Sequence, residues 1–164
     1  MAHNISLKQN DVLIMTKTQQ LERYLHQHIP LSAAMRVSVL EIDKHELTLA
    51  APLAPNINHQ ETVFGGSAST LAILSAWSLL HTRLAEEGIA SRLVIQRNEM
   101  AYLKPMTEEF TATAVLVDEE GWQRFLTTLR RKGKARISVV ASLYCNQIMA
   151  GEFSGDFVAL FGDK

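Results

Sequence analysis

The sequence predicts an α+β fold in which one long helix is buried against a strongly curved antiparallel sheet. Three observations predict it. No Asp, Glu, Lys or Arg occurs between Glu61 and Arg83, and from Gly66 the residues are small and apolar. A surface helix shows a polar face at a period of about 3.6 residues, so a helix without one is buried. Elsewhere the hydrophobic period is two, the mark of strands. The connections between those strands are too short for parallel crossovers, so the strands pair antiparallel.

The elements follow in order. Residues 15–29 read as a short amphipathic helix, with Leu21, Tyr24, Leu25 and His28 at helical spacing and Pro30 ending it. His26 and His28 stand two apart, point in different directions on a helix, and make a poor metal pair. From Ala34 the period becomes two, with Met35, Val37, Val39 and Glu41 on one face. Leu47 and Leu49 mark the next strand, and Asp43-Lys44 fits the turn between the two. A polar loop after Pro55 leads into the long helix, which stops near Glu86-Glu87-Gly88. Residues 92–104 carry Leu93, Ile95, Met100 and Tyr102 and end at Pro105; residues 109–117 alternate and are β-branched. Residues 121–131 fit either a short helix or an irregular crossing. Residues 134–145 and 148–160 read as a closing hairpin around Asn146-Gln147.

Composition sets outer bounds. The 164 residues fit one domain, expected over 1–164, since no repeat, linker or low-complexity segment divides them. A hydrophobic content of 47% suffices for a sizeable core. A net charge of −1 gives no global field for nucleic acid, and there is no spare helix-turn-helix or basic arm. The single cysteine, Cys145, cannot form an internal disulfide, reads as buried and inert, and suits a reducing cytoplasm, where the protein is expected. Residues 1–13 lack the apolar run of a signal peptide. The charge-free stretch holds Gly65, Gly66, Ser67, Ser69, Ser75 and Ser78 and reads as a buried helix rather than a membrane span.

The loop before that helix concentrates hydrogen-bonding groups: Asn56, Asn58 and Thr62, then Gly65-Gly66 and Ser67. The first N–H groups of a helix lack partners within it, and the helix dipole makes that end partly positive. Glycines there let a ligand oxygen approach the backbone closely. The stretch therefore reads as a helix N-terminus aimed at a carbonyl or carboxylate. The plainer alternative is a core helix with a tight glycine entry turn, which needs fewer hydrogen-bonding groups. His59 and His81 stand alone and read as packed or exposed residues.

Pro55-Asn56-Ile57-Asn58, Thr62-Val63-Phe64-Gly65-Gly66-Ser67 and Tyr102-Leu103-Lys104-Pro105 carry a family resemblance. They are similar to the Pro-Asn-x-Asn, Thr-x-Phe-Gly-Gly-Ser and Tyr-Leu-x-Pro marks of the YiiD C-terminal "putative thioesterase" hotdog family. The resemblance covers nearly the whole chain. It implies the hotdog fold, a long helix wrapped by an antiparallel sheet, and chemistry on acyl thioesters. Some members resemble malonyl-acyl-carrier-protein decarboxylases that help initiate fatty-acid synthesis; others are described only as thioesterases. A second hotdog thioesterase group enters the helix through Asn-x-x-Gly-x-x-His-Gly-Gly, with an Asp seven residues after the last Gly. Here Glu61 stands at the first Gly place, Phe64 at the His place and Ile73 at the Asp place, so the register agrees and the chemistry departs.

A hydrolytic hotdog enzyme needs a carboxylate to activate water or attack the thioester. With Ile73 at the expected place, Glu61 is the one nearby candidate, and it also reads as a solvated loop residue. Decarboxylation of a malonyl thioester instead leaves an enolate, which needs preorganised donors and no base for the bond-breaking step. The resemblance places Asn58 at the reacting group and the Gly66 N–H as oxyanion donor. Asn56, Thr62, Gly65 and Ser67 are the substrate-binding candidates, although Asn56 after Pro55 also reads as a turn-forming Asx residue. Arg130, Arg131, Lys132, Lys134 and Arg136 form a basic run suited to the phosphates of coenzyme A or to an acidic acyl carrier protein, or else a solvated turn. No metal or cofactor is expected. The expected partners are a carrier-bound thioester and a second copy of the chain, because hotdog relatives pair exposed sheet edges and share active sites. Three functions stay open: malonyl-thioester decarboxylase, thioesterase, and a module that binds acyl thioesters without turnover.

Overall fold

Thr16 and Gln19 open the first helix reciprocally. Thr16 Oγ1 accepts the Gln19 N–H and Gln19 Oε1 accepts the Thr16 N–H, a cap worth about 1 kcal/mol. The computed structural model describes residues 14–161; residues 1–13, read above for a signal peptide, and residues 162–164 lie outside the described residues. Helix α1 (Lys17–His28) buries Leu21 and Leu25. Pro30 does more than end it. It opens a second short helix, α2 (Pro30–Ala34), because a first-turn residue has no use for the N–H that proline lacks.

Strands β1 (Ser38–Ile42) and β2 (Glu46–Ala51) form the expected hairpin. Asp43 supports its turn by accepting the His45 N–H through Oδ1 at 3.0 Å. Met35, Val37 and Val39 are buried, but Glu41 is exposed. A bulge between Val39 and Glu41 shifts the register and turns Glu41 away from the apolar face. Helix α3 (Gly65–Glu86) follows, and no residue from Gly65 to Leu84 is exposed. Gly88, at φ 67°, supplies the left-handed residue that ends it.

The remaining strands are β3 (Ser91–Tyr102), β4 (Phe110–Leu116), β5 (Lys134–Cys145) and β6 (Ile148–Phe161). A bulge between Ile95 and Arg97 explains why the apolar residues of β3 change parity, from Leu93 and Ile95 to Met100 and Tyr102. Asn146 and Gln147 both have positive φ, as a two-residue type I′ turn between β5 and β6 requires. Between β4 and β5 the chain forms a regular helix, α4 (Gly121–Lys132). It buries Trp122, Phe125, Leu126 and Leu129 at helical spacing and stops at Gly133, where φ is 70°.

All pairings are antiparallel, and the six strands lie in the order β1-β2-β4-β5-β6-β3. Alternate residues of the sheet face α3, among them Leu49, Phe110, Val139, Leu143 and Phe157, packed with Leu71, Leu79 and Leu80 of the helix. The two edges differ. At β1, α1 takes up two backbone groups: Glu22 Oε2 accepts the Val39 N–H at 2.9 Å, and His26 Nε2 lies 2.7 Å from Val37 O, one residue before the strand. The other edge is the 12-residue β3, whose one strand neighbour among the described residues is β6.

Candidate active site at the entry to the central helix

The site begins with a knot around Asn56, which closes a single 3₁₀ turn (Ala54–Asn56). Asn56 is 2% exposed. Its Nδ2 donates to Met35 O at 3.0 Å and to Pro52 O at 2.8 Å, and its backbone carbonyl accepts the Phe64 N–H at 2.8 Å. Its Oδ1 is buried without a partner among the described residues. Expected as a substrate-binding or turn-forming residue, Asn56 joins the end of β2, the α2–β1 junction and the start of α3. Both its side-chain donors are engaged inside the fold.

Ile57 and Val63 then form a one-pair bridge that closes the loop. Within it Asn58 Oδ1 accepts the N–H groups of Gln60 (2.8 Å) and Thr62 (3.2 Å), while Nδ2 donates to Thr62 Oγ1 at 3.0 Å. Oδ1 is thereby fixed toward the turn, and Nδ2 keeps a second N–H. Thr62 belongs to this bracket and is half-buried. Glu61 is exposed and adopts φ 60°. That left-handed conformation is easy for glycine and costly for a residue with a Cβ. It accounts for the glycine that the wider hotdog motif carries at this place.

Phe64 is the N-cap of α3 and offers no side-chain cap, so the N–H groups of Gly65, Gly66 and Ser67 have no hydrogen-bond partner among the described residues. Tyr102 at the end of β3 donates its hydroxyl to Gly65 O at 3.2 Å. A Cβ on Gly66 would overlap the Phe64 ring, and a Cβ on Gly65 would meet Tyr102 at 3.4 Å. Gly66 thus admits the Phe64 ring close to the backbone, whereas at Gly65 a Cβ would only reach ordinary contact with Tyr102. Phe64 and Tyr102 are not among the site residues the sequence predicts, although both stand in the quoted motifs.

Further along α3, Ile73 is half-buried on the same helix face as Gly66. Trp77 closes that face by donating Nε1–H to Leu93 O at 3.1 Å. Its ring stacks on His81 at 4.6 Å, and His81 stacks on Tyr24 at 4.9 Å. Burial, helped by nearby His28, holds His81 below the usual histidine range. His59 is exposed in the loop, and Cys145 is buried.

The C-terminal end of α3 carries a different network. Arg83 is 6% exposed and meets Glu119 through two hydrogen bonds of 2.9 and 2.6 Å, with its guanidinium 4.3 Å from the Trp122 ring centroid. The Arg83 hydrogen bond is the largest influence holding the Glu119 carboxyl below its ordinary range. The basic run lies at this end too. Arg130, Arg131 and Lys132 form the last turn of α4, where cations favour the helix dipole, and Lys134 and Arg136 begin β5; all five are exposed. Arg130 approaches Glu87 at 3.4 Å. Across the 22 residues of α3, about 33 Å of helix separates this end from Gly65-Gly66. Within one chain, therefore, the structure does not bring the run and the loop together.

Among the described residues no group of three His, Cys, Asp or Glu could hold a metal ion, and no helix is long and apolar enough to cross a membrane. The family model described as "Putative thioesterase (yiiD_Cterm)" matches residues 18–161. Among solved structures, the chain is similar to a protein of unknown function from Chlorobaculum tepidum TLS, with 31% identity and a TM-score of 0.84 over 88% of this chain and 94% of that one. It is also similar to a protein from Shewanella oneidensis described as a "putative thioesterase", with 28% identity and a TM-score of 0.79 over 87% and 96%. A protein from Pseudomonas aeruginosa shares the fold at 21% identity and a TM-score of 0.75, over 87% and 95%.

Proposed function

The chain belongs to the YiiD C-terminal "putative thioesterase" family and has its hotdog fold, and from that premise we propose that it decarboxylates a malonyl thioester to the acetyl thioester. We place the substrate on acyl carrier protein, at the initiation of fatty-acid synthesis in the cytoplasm. The observation that carries this reading is the entry to α3. Three backbone N–H groups lack partners among the described residues, and no carboxylate occurs on the helix before Glu86. Such a site can stabilise developing negative charge but has no base on the helix to activate water.

The chemistry follows from that asymmetry. The bond between the carboxylate carbon and the α-carbon breaks, and its electron pair moves into an enolate whose charge rests on the thioester oxygen. CO2 leaves, and the α-carbon takes up one proton from solvent. The Gly66 N–H, with Gly65 and Ser67 beside it, receives the enolate oxygen; one such donor is worth about 3 kcal/mol. The remaining Nδ2–H of Asn58 orients the malonyl group without supplying a counter-charge that would hold the carboxylate in place.

Product analysis tests the reading. Incubation with malonyl-acyl carrier protein and with malonyl-coenzyme A, followed by mass spectrometry, is expected to give the acetyl thioester and CO2. Free malonate with the thioester cleaved would return the protein to hydrolysis, with Glu61 as its base. Unchanged thioesters would leave a binding module.

A further inference from the structure

We propose that Phe64 and Tyr102 form an aromatic collar over the α3 amides that keeps water from the thioester carbon and so decides the product. This rests on the decarboxylase reading above and extends it to selectivity. The two possible reactions start from the same bound malonyl thioester. In hydrolysis a water oxygen adds to the carbonyl carbon, the C–S bond breaks, and the thiol leaves with a proton. In decarboxylation the C–C bond breaks and the thioester survives. Both place negative charge on the same carbonyl oxygen, so the amides of Gly65, Gly66 and Ser67 assist both. They cannot choose between them. Access of water to the carbonyl carbon can.

The structure supplies groups for that choice. Phe64 stands at an N-cap, where Ser, Thr, Asp or Asn would ordinarily cap the helix and occupy one of its amides. A phenyl ring leaves the amides open and lies over Gly66, which has no Cβ to collide with it. Tyr102 is held against Gly65 by its hydroxyl bond to Gly65 O. Both rings lie outside the core, with Phe64 57% and Tyr102 58% exposed, and Leu103, next to Tyr102 in the chain, is exposed as well. Large apolar side chains gathered at an open surface mark a site of interaction rather than packing. Here Phe64 and Tyr102 border amides at the start of α3 that have no partner among the described residues. An apolar border also disfavours the charged malonyl carboxylate relative to the dispersed charge of the transition state.

The test is the ratio of products from malonyl-coenzyme A and from malonyl-acyl carrier protein. The wild-type protein is expected to yield acetyl thioester and CO2. Phe64→Ala is expected to raise the proportion of free malonate about tenfold, equal to about 1.4 kcal/mol of difference between the two barriers. Tyr102→Ala shifts it in the same direction, while Phe64→Leu, which keeps an apolar cover, stays near wild type. Both rings lie outside the core of the chain, and far-UV circular dichroism with the urea midpoint of each variant checks that it folds. An unchanged ratio in Phe64→Ala, whatever its rate, overturns the collar and leaves the decarboxylase reading standing. A Phe64→Ala protein that forms neither product gives the ring a binding role and also overturns the collar. Malonate as the main product of the wild-type protein overturns both.

Discussion

Asn56 and Asn58 are two residues apart and have separate roles. Asn56 is a buried knot and Asn58 is the half-buried side chain of the loop. Asn58→Ala should lower kcat for decarboxylation by roughly 10²–10³-fold, a loss of the size seen when one preorganised active-site donor is removed. Asn58→Asp should be at least as damaging, because a carboxylate would repel the malonyl group. Steady-state kinetics on malonyl-acyl carrier protein checks both; near-wild-type kcat in Asn58→Ala would remove Asn58 from the reaction. Glu61 allows a cleaner contrast. Its φ of 60° suits glycine, so Glu61→Gly should gain about 0.5–1 kcal/mol of stability in chemical denaturation and keep decarboxylase activity. Lost decarboxylation in a stabler protein would instead give Glu61 a part in the reaction, and lost malonate release would make it the base of a hydrolase.

At the scale of elements, α3 is held at both ends by groups outside it. At its C-terminal end Glu119 pairs with buried Arg83. The folded pKa of Glu119 lies below its unfolded value, so the pair contributes fully above the ordinary carboxylate range, and that contribution is lost as pH falls through the folded pKa. Glu119→Gln should destabilise the fold by about 2 kcal/mol. That is below the usual cost of breaking a buried pair because Glu119 keeps one side in water. The Tyr24–His81–Trp77 stack fastens α1 to α3. His81 also has a lowered folded pKa, but it is a base, so the unfolded chain takes up its proton first. Stability should therefore be full above the ordinary histidine value of 6.5 and decline as pH falls through it toward the folded pKa. His81→Phe keeps a ring in the stack and removes the titration. Its urea midpoint should change less between about pH 7.5 and pH 5.5 than that of the wild-type protein.

For the whole molecule, the unequal sheet edges predict assembly through β3. Helix α1 engages the β1 edge, whereas β3 offers 12 residues, and light scattering at micromolar concentration should find a dimer or a larger even assembly. A monomer would count strongly against it. Two-fold antiparallel pairing of β3 would set the Tyr102 end of one copy beside the Ser91 end of the other. The basic run shares the Ser91 end, since Lys134 and Arg92 both pair with Leu160 of β6. The run would then serve the partner's site. Reversing charge at Arg130 and Arg131 should raise KM for the carrier-bound substrate far more than it lowers kcat, and less so at high salt. A mixed dimer of that variant with Asn58→Ala should recover a low KM, because one site keeps both parts. A KM that stays high in the mixed dimer would show that each run serves its own chain.

The sequence by itself determined the fold class, the strand order along the chain, the buried central helix and the loop that enters it. These rest on local signals: a period of two or about 3.6, charge absent from Glu61 to Arg83, and Gly, Pro and Asn at the turns. Tertiary structure decided what such signals cannot hold. The bulges that turn Glu41 outward and change the parity of β3 depend on the neighbouring strand. The knot at Asn56 depends on Met35, 21 residues away. The meeting of Arg83 with Glu119 and of Tyr102 with Gly65 depends on packing between elements distant in the chain. Periodicity fixes which face a residue occupies on its own element, but only the packed fold fixes what stands opposite it.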